Sequence, residues 1–272
     1  MRIENKLNIL DEIAIRTKER INEKKKTLPL EKIKDMAEQA GGKSTGNMPD
    51  FSFENALRKQ GINFICEIKK ASPSKGIIAE DFPYVQIARD YEAAGAAAIS
   101  VLTEPFWFMG GDNILSEVAQ VVSVPLLRKD FTVDAYMIYE AKILRASAIL
   151  LICAILSPAQ LSEYIKEADR LGLSCLIEAH DEDEVKMAIN AGARVIGVNN
   201  RDLKTFSVDT GNSVRLAALV PDDVIFVSES GIRSFEDVEL LRRNGVNAVL
   251  IGETLMCAPD KKAALAKLRG QA

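Results

Sequence analysis

Ionisable residues crowd the end of one short apolar run. Val-Pro-Leu-Leu-Arg-Lys-Asp-Phe, at 124–131, passes from a buried-strand pattern straight into Arg128, Lys129 and Asp130. A strand covered on both faces reads as a continuous hydrophobic run, so charges at its C-terminal end need a reason. In a parallel α/β barrel that end is where catalytic groups project. Lys129 there has the chemistry of a general acid, a positioned proton donor.

Other apolar runs end in the same way. The run at 64–68 contains Glu67 and leads into Lys69 and a loop with Ser72; 97–102 leads to Thr103 and Glu104. Glu178 follows 174–177, and Asn199 and Arg201 follow 194–198. The last two runs, 224–227 and 248–251, lead to Ser228, Glu229, Ser230 and Gly231 and to Gly252, Glu253 and Thr254. Only 148–152 offers no polar group, just Ala154. A buried charge without a partner is costly, so these lysines and glutamates must pair with one another or with a ligand. The glycines in 229–232 and 251–254 let backbone N–H groups approach a ligand closely, which suits a phosphate. In barrel enzymes the loops after the last two strands often form such a site.

Helical segments separate the runs, near 83–94, 112–121, 133–145, 158–171, 181–190, 210–219 and 234–244, with a last one near 259–269. Ser157-Pro158 has the form of an N-cap followed by a first-turn proline, and Gly172, Gly192 and Gly245 fall just past helix ends. Eight strand-helix units in unbroken rhythm predict a closed (β/α)8 TIM barrel. A doubly wound open sheet is the alternative, but nothing like GxGxxG follows the first run. Residues 1–60 have a different texture and predict an N-terminal helical extension. Leu7, Leu10, Ile13 and Ala14 recur at helical spacing before a basic stretch at 16–26; Leu30, Ile33 and Met36 open a second amphipathic segment. The stretch 41–49 reads as a loop and 51–59 as a third short helix. Such an extension is either a solvated helical hairpin with a charged face or a cap over the barrel mouth. The whole chain, 1–272, is expected to form one barrel domain with this extension included.

At 272 residues, 47% hydrophobic and 27% charged, the chain has the composition of an ordinary soluble globular protein. A net charge of −4 argues against a nucleic-acid surface. No apolar run approaches a membrane span, and the N-terminus lacks a signal-peptide core, so a cytoplasmic setting is expected. Cys66, Cys153, Cys175 and Cys257 are far apart and form no CxxC, which predicts small buried hydrophobes rather than a metal site. His180, the only histidine, has no second histidine for a metal, and a catalytic triad would have to be built around it alone; no catalytic role is expected.

Several ordered motifs together resemble the indole-3-glycerol-phosphate synthase family: Phe-Ile-Cys-Glu-Ile-Lys-Lys-Ala-Ser-Pro-Ser-Lys-Gly (64–76), Ser-Val-Leu-Thr-Glu (100–104), Leu-Arg-Lys-Asp-Phe (127–131), Ile-Glu-Ala-His (177–180), the stretch 196–206 and Ser-Glu-Ser-Gly-Ile (228–232). The resemblance spans essentially the whole chain. It implies ring closure of 1-(2-carboxyphenylamino)-1-deoxyribulose 5-phosphate to indole-3-glycerol phosphate, with loss of carbon dioxide and water, in tryptophan biosynthesis. By the same resemblance Lys129 protonates the ribulose carbonyl and Glu178 is the acid/base partner in the later dehydration. Lys69 holds the substrate carboxylate and is a second candidate donor. Glu67 and Asn199 orient these groups and the sugar hydroxyls. Ser230, Gly231, Gly252 and the backbone of Glu253 line a phosphate pocket, Phe131 packs on the anthranilate ring, and Arg201, Ser72 and Glu229 complete the substrate contacts. The anilino nitrogen pushes electrons into its own ring, so no cofactor or metal is expected. The implied partner is a phosphorylated small molecule, with no nucleic acid or membrane; a monomer is expected, with association with other tryptophan-pathway enzymes open.

Some positions depart from the family pattern. Arg-Ala-Ser at 145–147 stands where a Gly-Ala-Asp turn is usual, Ala79 where arginine is common and Ala179 where valine is common. These put local turn geometry in question and leave the proposed catalytic set untouched. Two other readings of the residues are a non-catalytic phosphate-ligand sensor and another phosphate-binding barrel enzyme such as phosphoribosylanthranilate isomerase, which works with a cysteine and an aspartate.

Overall fold

Eight parallel strands close into a barrel in the computed structural model, which describes residues 8–40, 51–202 and 205–271. They are β1 (Asn63–Ile68), β2 (Ala98–Leu102), β3 (Leu126–Lys129), β4 (Ala148–Ile152), β5 (Ser174–Ala179), β6 (Val195–Asn199), β7 (Ile225–Glu229) and β8 (Ala248–Ile251). The ring closes at β1, where Cys66 lies opposite Ile251 of β8 on one side and Ile99 of β2 on the other. The expected (β/α)8 barrel is therefore the fold, and the open-sheet alternative falls.

Helices α1 (Ile9–Thr27), α2 (Leu30–Ala40) and α3 (Ser52–Leu57) precede the barrel. Between and after the strands come α4 (Tyr84–Ala93), α5 (Asp112–Val118), α6 (Tyr136–Ile143), α7 (Pro158–Arg170), α8 (Glu182–Asn190), α9 (Gly211–Ala217), α10 (Phe235–Arg243), α11 (Glu253–Met256) and α12 (Lys261–Leu268). Among the described residues three elements escape the sequence pattern: the four-residue α11, a short 3-10 helix at Cys153–Ile155, and a hairpin pairing Ala71–Ser72 with Gly76–Ile77. The stretch 41–49 lies outside the described residues. Among the described residues no helix is long and apolar enough to cross a membrane.

β3, β5 and β7 each extend about two residues past the apolar runs that foretell them, to Lys129, Ala179 and Glu229. Ladder hydrogen bonds are made by the backbone and do not require an apolar side chain. The run stops where alternate side chains begin to face a polar cavity, not where the strand stops.

Side chains alternate along a strand, and this resolves the charge cluster at 128–130. Lys129 faces the barrel interior. Arg128 points outward, donating to the Met137 carbonyl (3.0 Å), Asp112 (2.8 Å) and Glu140 (2.5 Å). Asp130 points outward too and takes two hydrogen bonds from Arg20 of α1 at 2.9 and 2.8 Å and one from Thr103 at 2.8 Å. Lys24 reaches Asp112 (2.6 Å) and Glu140 (2.5 Å), and Lys25 reaches Asp134 (2.6 Å). The basic stretch of α1 is therefore not simply a solvated face. Half of it is the electrostatic seam joining the extension to β3 and α6.

The rest of α1 follows from local signals. Asn8 caps its N-terminus by accepting from the Asp11 N–H, Asp11 and Glu12 oppose the helix dipole, and Lys24, Lys25 and Lys26 stand at the other end. Pro29 disfavours a helical Leu28 and ends the run. Leu10, Ile13 and Ile21 are buried, each worth roughly 1.5–3 kcal/mol. At the opposite end of the barrel, α3 inserts Phe53 and Leu57 among the N-terminal ends of the strands. It is tied there by the ion pair Glu54–Arg194 and by Asn63 donating to the Leu57 carbonyl.

Candidate active site

One cavity at the C-terminal ends of the strands gathers every residue expected at the site: Lys129, Glu178, Lys69, Glu67, Asn199, Ser230, Gly231, Gly252, Glu253, Arg201, Phe131, Ser72 and Glu229. Ile9, Leu10 and Ile13 of α1 line it as well. Glu104, although it follows β2, stays outside. Its carboxylate accepts the backbone N–H groups of Phe106 (2.9 Å), Trp107 (2.8 Å) and Phe108 (3.0 Å), bracing the loop that carries Phe108 into the cavity.

Lys129 lies at the centre of the polar wall. Its Nζ donates to Glu229 Oε2 at 2.6 Å and to Glu178 Oε2 at 3.4 Å. Burial disfavours its charge, but Glu229, Glu178 and Glu67 outweigh that cost and hold its pKa above the ordinary lysine range. A second lysine close by would have pulled in the other direction. Lys69 instead spends its charge on Glu67, at 2.5 Å.

The three carboxylates differ. Burial works against ionisation of Glu67 and Glu178, yet Lys69 and Lys129 keep Glu67 below the usual range, and Lys129, His180 and the Asn199 amide do the same for Glu178. Glu229 has one cation shared with a like charge, and burial wins, pushing it up to about 7. Its Oε1 is buried without a hydrogen-bond partner. Glu229, which the resemblance placed among the substrate contacts, therefore lies beside Lys129 and Glu178 in the structure. The cue was in the sequence: Gly197 sits mid-strand on β6, where a Cβ would collide with the Glu229 carboxylate.

Asn199 connects the cluster of Lys129, Glu178 and Glu229 to the rim. Its amide donates to Glu178 Oε1 at 3.3 Å, and its own oxygen accepts the Arg201 backbone N–H at 3.0 Å. Arg201 reaches toward Glu253 at 3.7 Å, and Lys75 meets the same carboxylate at 3.1 Å. Ser230 and Gly231 both adopt positive φ, 66° and 85°, which turns the backbone after β7 back over the cavity. Thr254 Oγ1 donates to the Ile232 carbonyl at 2.7 Å and locks the β7 and β8 loops together. At Gly252 a Cβ would run into the Glu67 carboxylate and Lys69 Nζ, so the missing side chain makes room for that pair. On the apolar side the Phe108 and Phe131 rings lie 5.9 Å apart. Ser72, in the hairpin, stands within 3.4 Å of Ser74 at the rim.

A cysteine-based isomerase chemistry finds no support. Cys66 is fully buried in the layer between strands and helices, and burial pushes its thiol up to about 12.

The comparisons with known proteins agree with this geometry. The family model described as indole-3-glycerol phosphate synthase matches residues 10–268. An indole-3-glycerol phosphate synthase of Ruminiclostridium cellulolyticum is 59% identical over 264 residues, covering 97% of this chain and all of the relative. One of Lachnoclostridium phytofermentans is 51% identical, covering 96% and 98%. Among solved structures, a thiamine phosphate pyrophosphorylase from Pyrococcus furiosus superimposes with a TM-score of 0.59 at 16% identity, over 80% of this chain and 96% of that one. That likeness speaks to the barrel alone. A match of this length and identity, on a barrel of this build, makes the chain a member of the indole-3-glycerol phosphate synthase family.

Proposed function

We propose that Lys129 and Glu178 carry the proton transfers by which this chain closes the indole ring of its substrate. As a member of the family it converts 1-(2-carboxyphenylamino)-1-deoxyribulose 5-phosphate into indole-3-glycerol phosphate, a lyase reaction of tryptophan biosynthesis. In neutral water the ring closure lacks a strong acid held beside the carbonyl. Lys129 Nζ gives its proton to the carbonyl oxygen, and the ring carbon bearing the carboxylate attacks the carbon so activated. Carbon dioxide then leaves, and its bonding electrons restore the aromatic ring. Loss of water follows: Lys69 protonates the departing hydroxyl, and Glu178 removes the proton that the forming indole gives up.

The remaining residues position the substrate. Glu67 fixes Lys69, Asn199 fixes Glu178, and Arg201 and Ser72 hold polar groups of the substrate at the rim. Ser230, Gly231, Gly252 and the backbone of Glu253 take the phosphate, while Phe131 packs on the anthranilate ring. The extension caps the mouth through Ile9, Leu10 and Ile13. The enzyme acts as a cytoplasmic monomer without cofactor or metal, and its association with other tryptophan-pathway enzymes stays open.

The observation that carries this reading is the approach of Lys129 Nζ to Glu178 Oε2, 3.4 Å, across the ends of β3 and β5. The test is fluorescence-monitored formation of indole-3-glycerol phosphate from the carboxyphenylamino substrate, with EDTA present. Turnover at full rate is expected. Substrate binding without turnover would overturn the reading in favour of a phosphate-ligand sensor.

A further inference from the structure

His180 follows β5 and lies outside the cavity that holds the acid/base cluster, facing a second cleft beside it. Its ring stands between two carboxylates. Nδ1 is 3.1 Å from Glu184 Oε2, and Nε2 is 3.5 Å from Glu178 Oε1, on the side of Glu178 away from Lys129. Glu184 is fixed independently of this contact. Its backbone N–H caps onto Asp181, and the same Oε2 accepts the His180 backbone N–H at 2.8 Å. Nε2 is shielded from solvent and has no hydrogen-bond partner. A neutral ring would leave one nitrogen unsatisfied, which is costly. An imidazolium donates to Glu184 and faces Glu178 with its second N–H.

We propose that His180 is a positioning residue: clamped by Glu184, its imidazolium is the second cation that keeps Glu178 ionised and aimed into the cavity once Lys129 has released its proton. The proposal rests on the acid and base roles given above to Lys129 and Glu178. Its physical need follows from them. With Lys129 neutral, Glu178 and Glu229 would lose the one cation that bonds both of them, Lys69 being paired to Glu67, and Glu178 would take up a proton when it must act as a base. His180 lines the second cleft and not the cavity, so it supplies charge without competing as a donor.

The surroundings favour the charged ring. Burial opposes it, but Glu184, Glu178 and Glu229 outweigh that and raise its pKa to about 8. Asp181 stands beside it at the start of α8, and the rest of the cleft carries Asp11, Asp202, Asp209, Arg201 and Arg215. A raised histidine pKa means that the charge is present below that value and lost above it. The support given to Glu178 therefore fades as pH rises through about 8.

His180 is the only histidine, so untagged protein gives a single set of imidazole NMR signals. We expect it to titrate near 8 and to titrate lower in Glu184→Gln. In His180→Gln, kcat at pH 7 should fall about tenfold with KM within about twofold, and the alkaline limb of kcat should vanish. Titration at or below the ordinary histidine value, or a His180→Gln enzyme with wild-type kcat and pH profile, overturns the proposal. Glu178→Gln separates this from the reading beneath it. Inactive Glu178→Gln beside wild-type His180→Gln sinks the positioning role alone, whereas fully active Glu178→Gln sinks the role of Glu178 itself.

Discussion

Lys129 is closer to Glu229 than to Glu178: 2.6 Å against 3.4 Å, from one ammonium group. The proposed proton donor thus rests on a carboxylate whose pKa burial raises to about 7, while Glu178, the proposed base, is held below the usual carboxylate range. One cation serving two carboxylates of unequal basicity makes each of the three sensitive to the others.

Replacing Lys129 by Ala should abolish turnover, with kcat down at least about 10²–10⁴-fold, the range for loss of a positioned acid. Substrate binding should stay largely intact, because the phosphate loops and aromatic wall do not depend on it. Single-turnover fluorescence and equilibrium binding check this. Full activity would remove Lys129 from the acid role.

For Glu178→Gln the loss should fall on dehydration. Ring closure needs the acid, whereas loss of water needs a base, and an amide cannot accept a proton at neutral pH. Rapid-quench analysis should show the decarboxylated intermediate accumulating. An unchanged single-turnover rate would contradict it.

Glu229 predicts a pH signature in stability. Its folded pKa, about 7, lies above the ordinary 4.5, so the folded state keeps a proton that the unfolded chain releases in that window. Stability from this group therefore falls as pH rises from about 4.5 to 7. Glu229→Gln removes the dependence and should gain on the wild type by about 1–3 kcal/mol between pH 5 and pH 8 in urea titrations. A difference that does not change with pH would count against it.

Arg20 anchors α1 through Asp130, which is almost fully buried. Arg20→Leu leaves that carboxylate with Thr103, the Phe131 backbone N–H at 2.8 Å and a distant Arg128 at 3.7 Å, none of them a close cation. Removing one partner of a buried pair costs about 3–5 kcal/mol. Faster amide exchange across residues 9–27 and a raised KM are expected. Unaltered protection would show that the apolar face of α1 suffices by itself.

Arg145 sits at φ 64° just past α6, where Gly95, Gly172, Gly192 and Gly245 hold the same left-handed position after other helices. Its turn makes the same backbone bonds, Arg145 N–H to the Lys142 carbonyl and Ala146 N–H to the Ala141 carbonyl. Arg145→Gly should therefore stabilise the protein by about 0.5–1 kcal/mol, as relief of left-handed strain exceeds the added chain entropy. Denaturation midpoints with unchanged activity would support this; a lower midpoint would refute it.

Much of this protein could be read from its sequence alone. The alternation of apolar runs with helical segments predicts parallel strands buried on both faces, and eight such units with no GxGxxG after the first favour the closed barrel over a doubly wound sheet. The interruption of those runs by Lys129, Glu178 and Glu67 marks the mouth. Tertiary structure alone decided which of Arg128, Lys129 and Asp130 faces inward, that Glu229 and not Glu178 is the nearest partner of Lys129, and that Lys69 is spent on Glu67. It also brought the basic face of α1 onto Asp130, Asp112 and Glu140, and His180 behind Glu178. The reason is physical. Burial and periodicity are local and leave their trace along the chain, whereas the pairing of charges is set by distances of a few ångströms between residues about 50–100 positions apart. Only closing the barrel creates those distances.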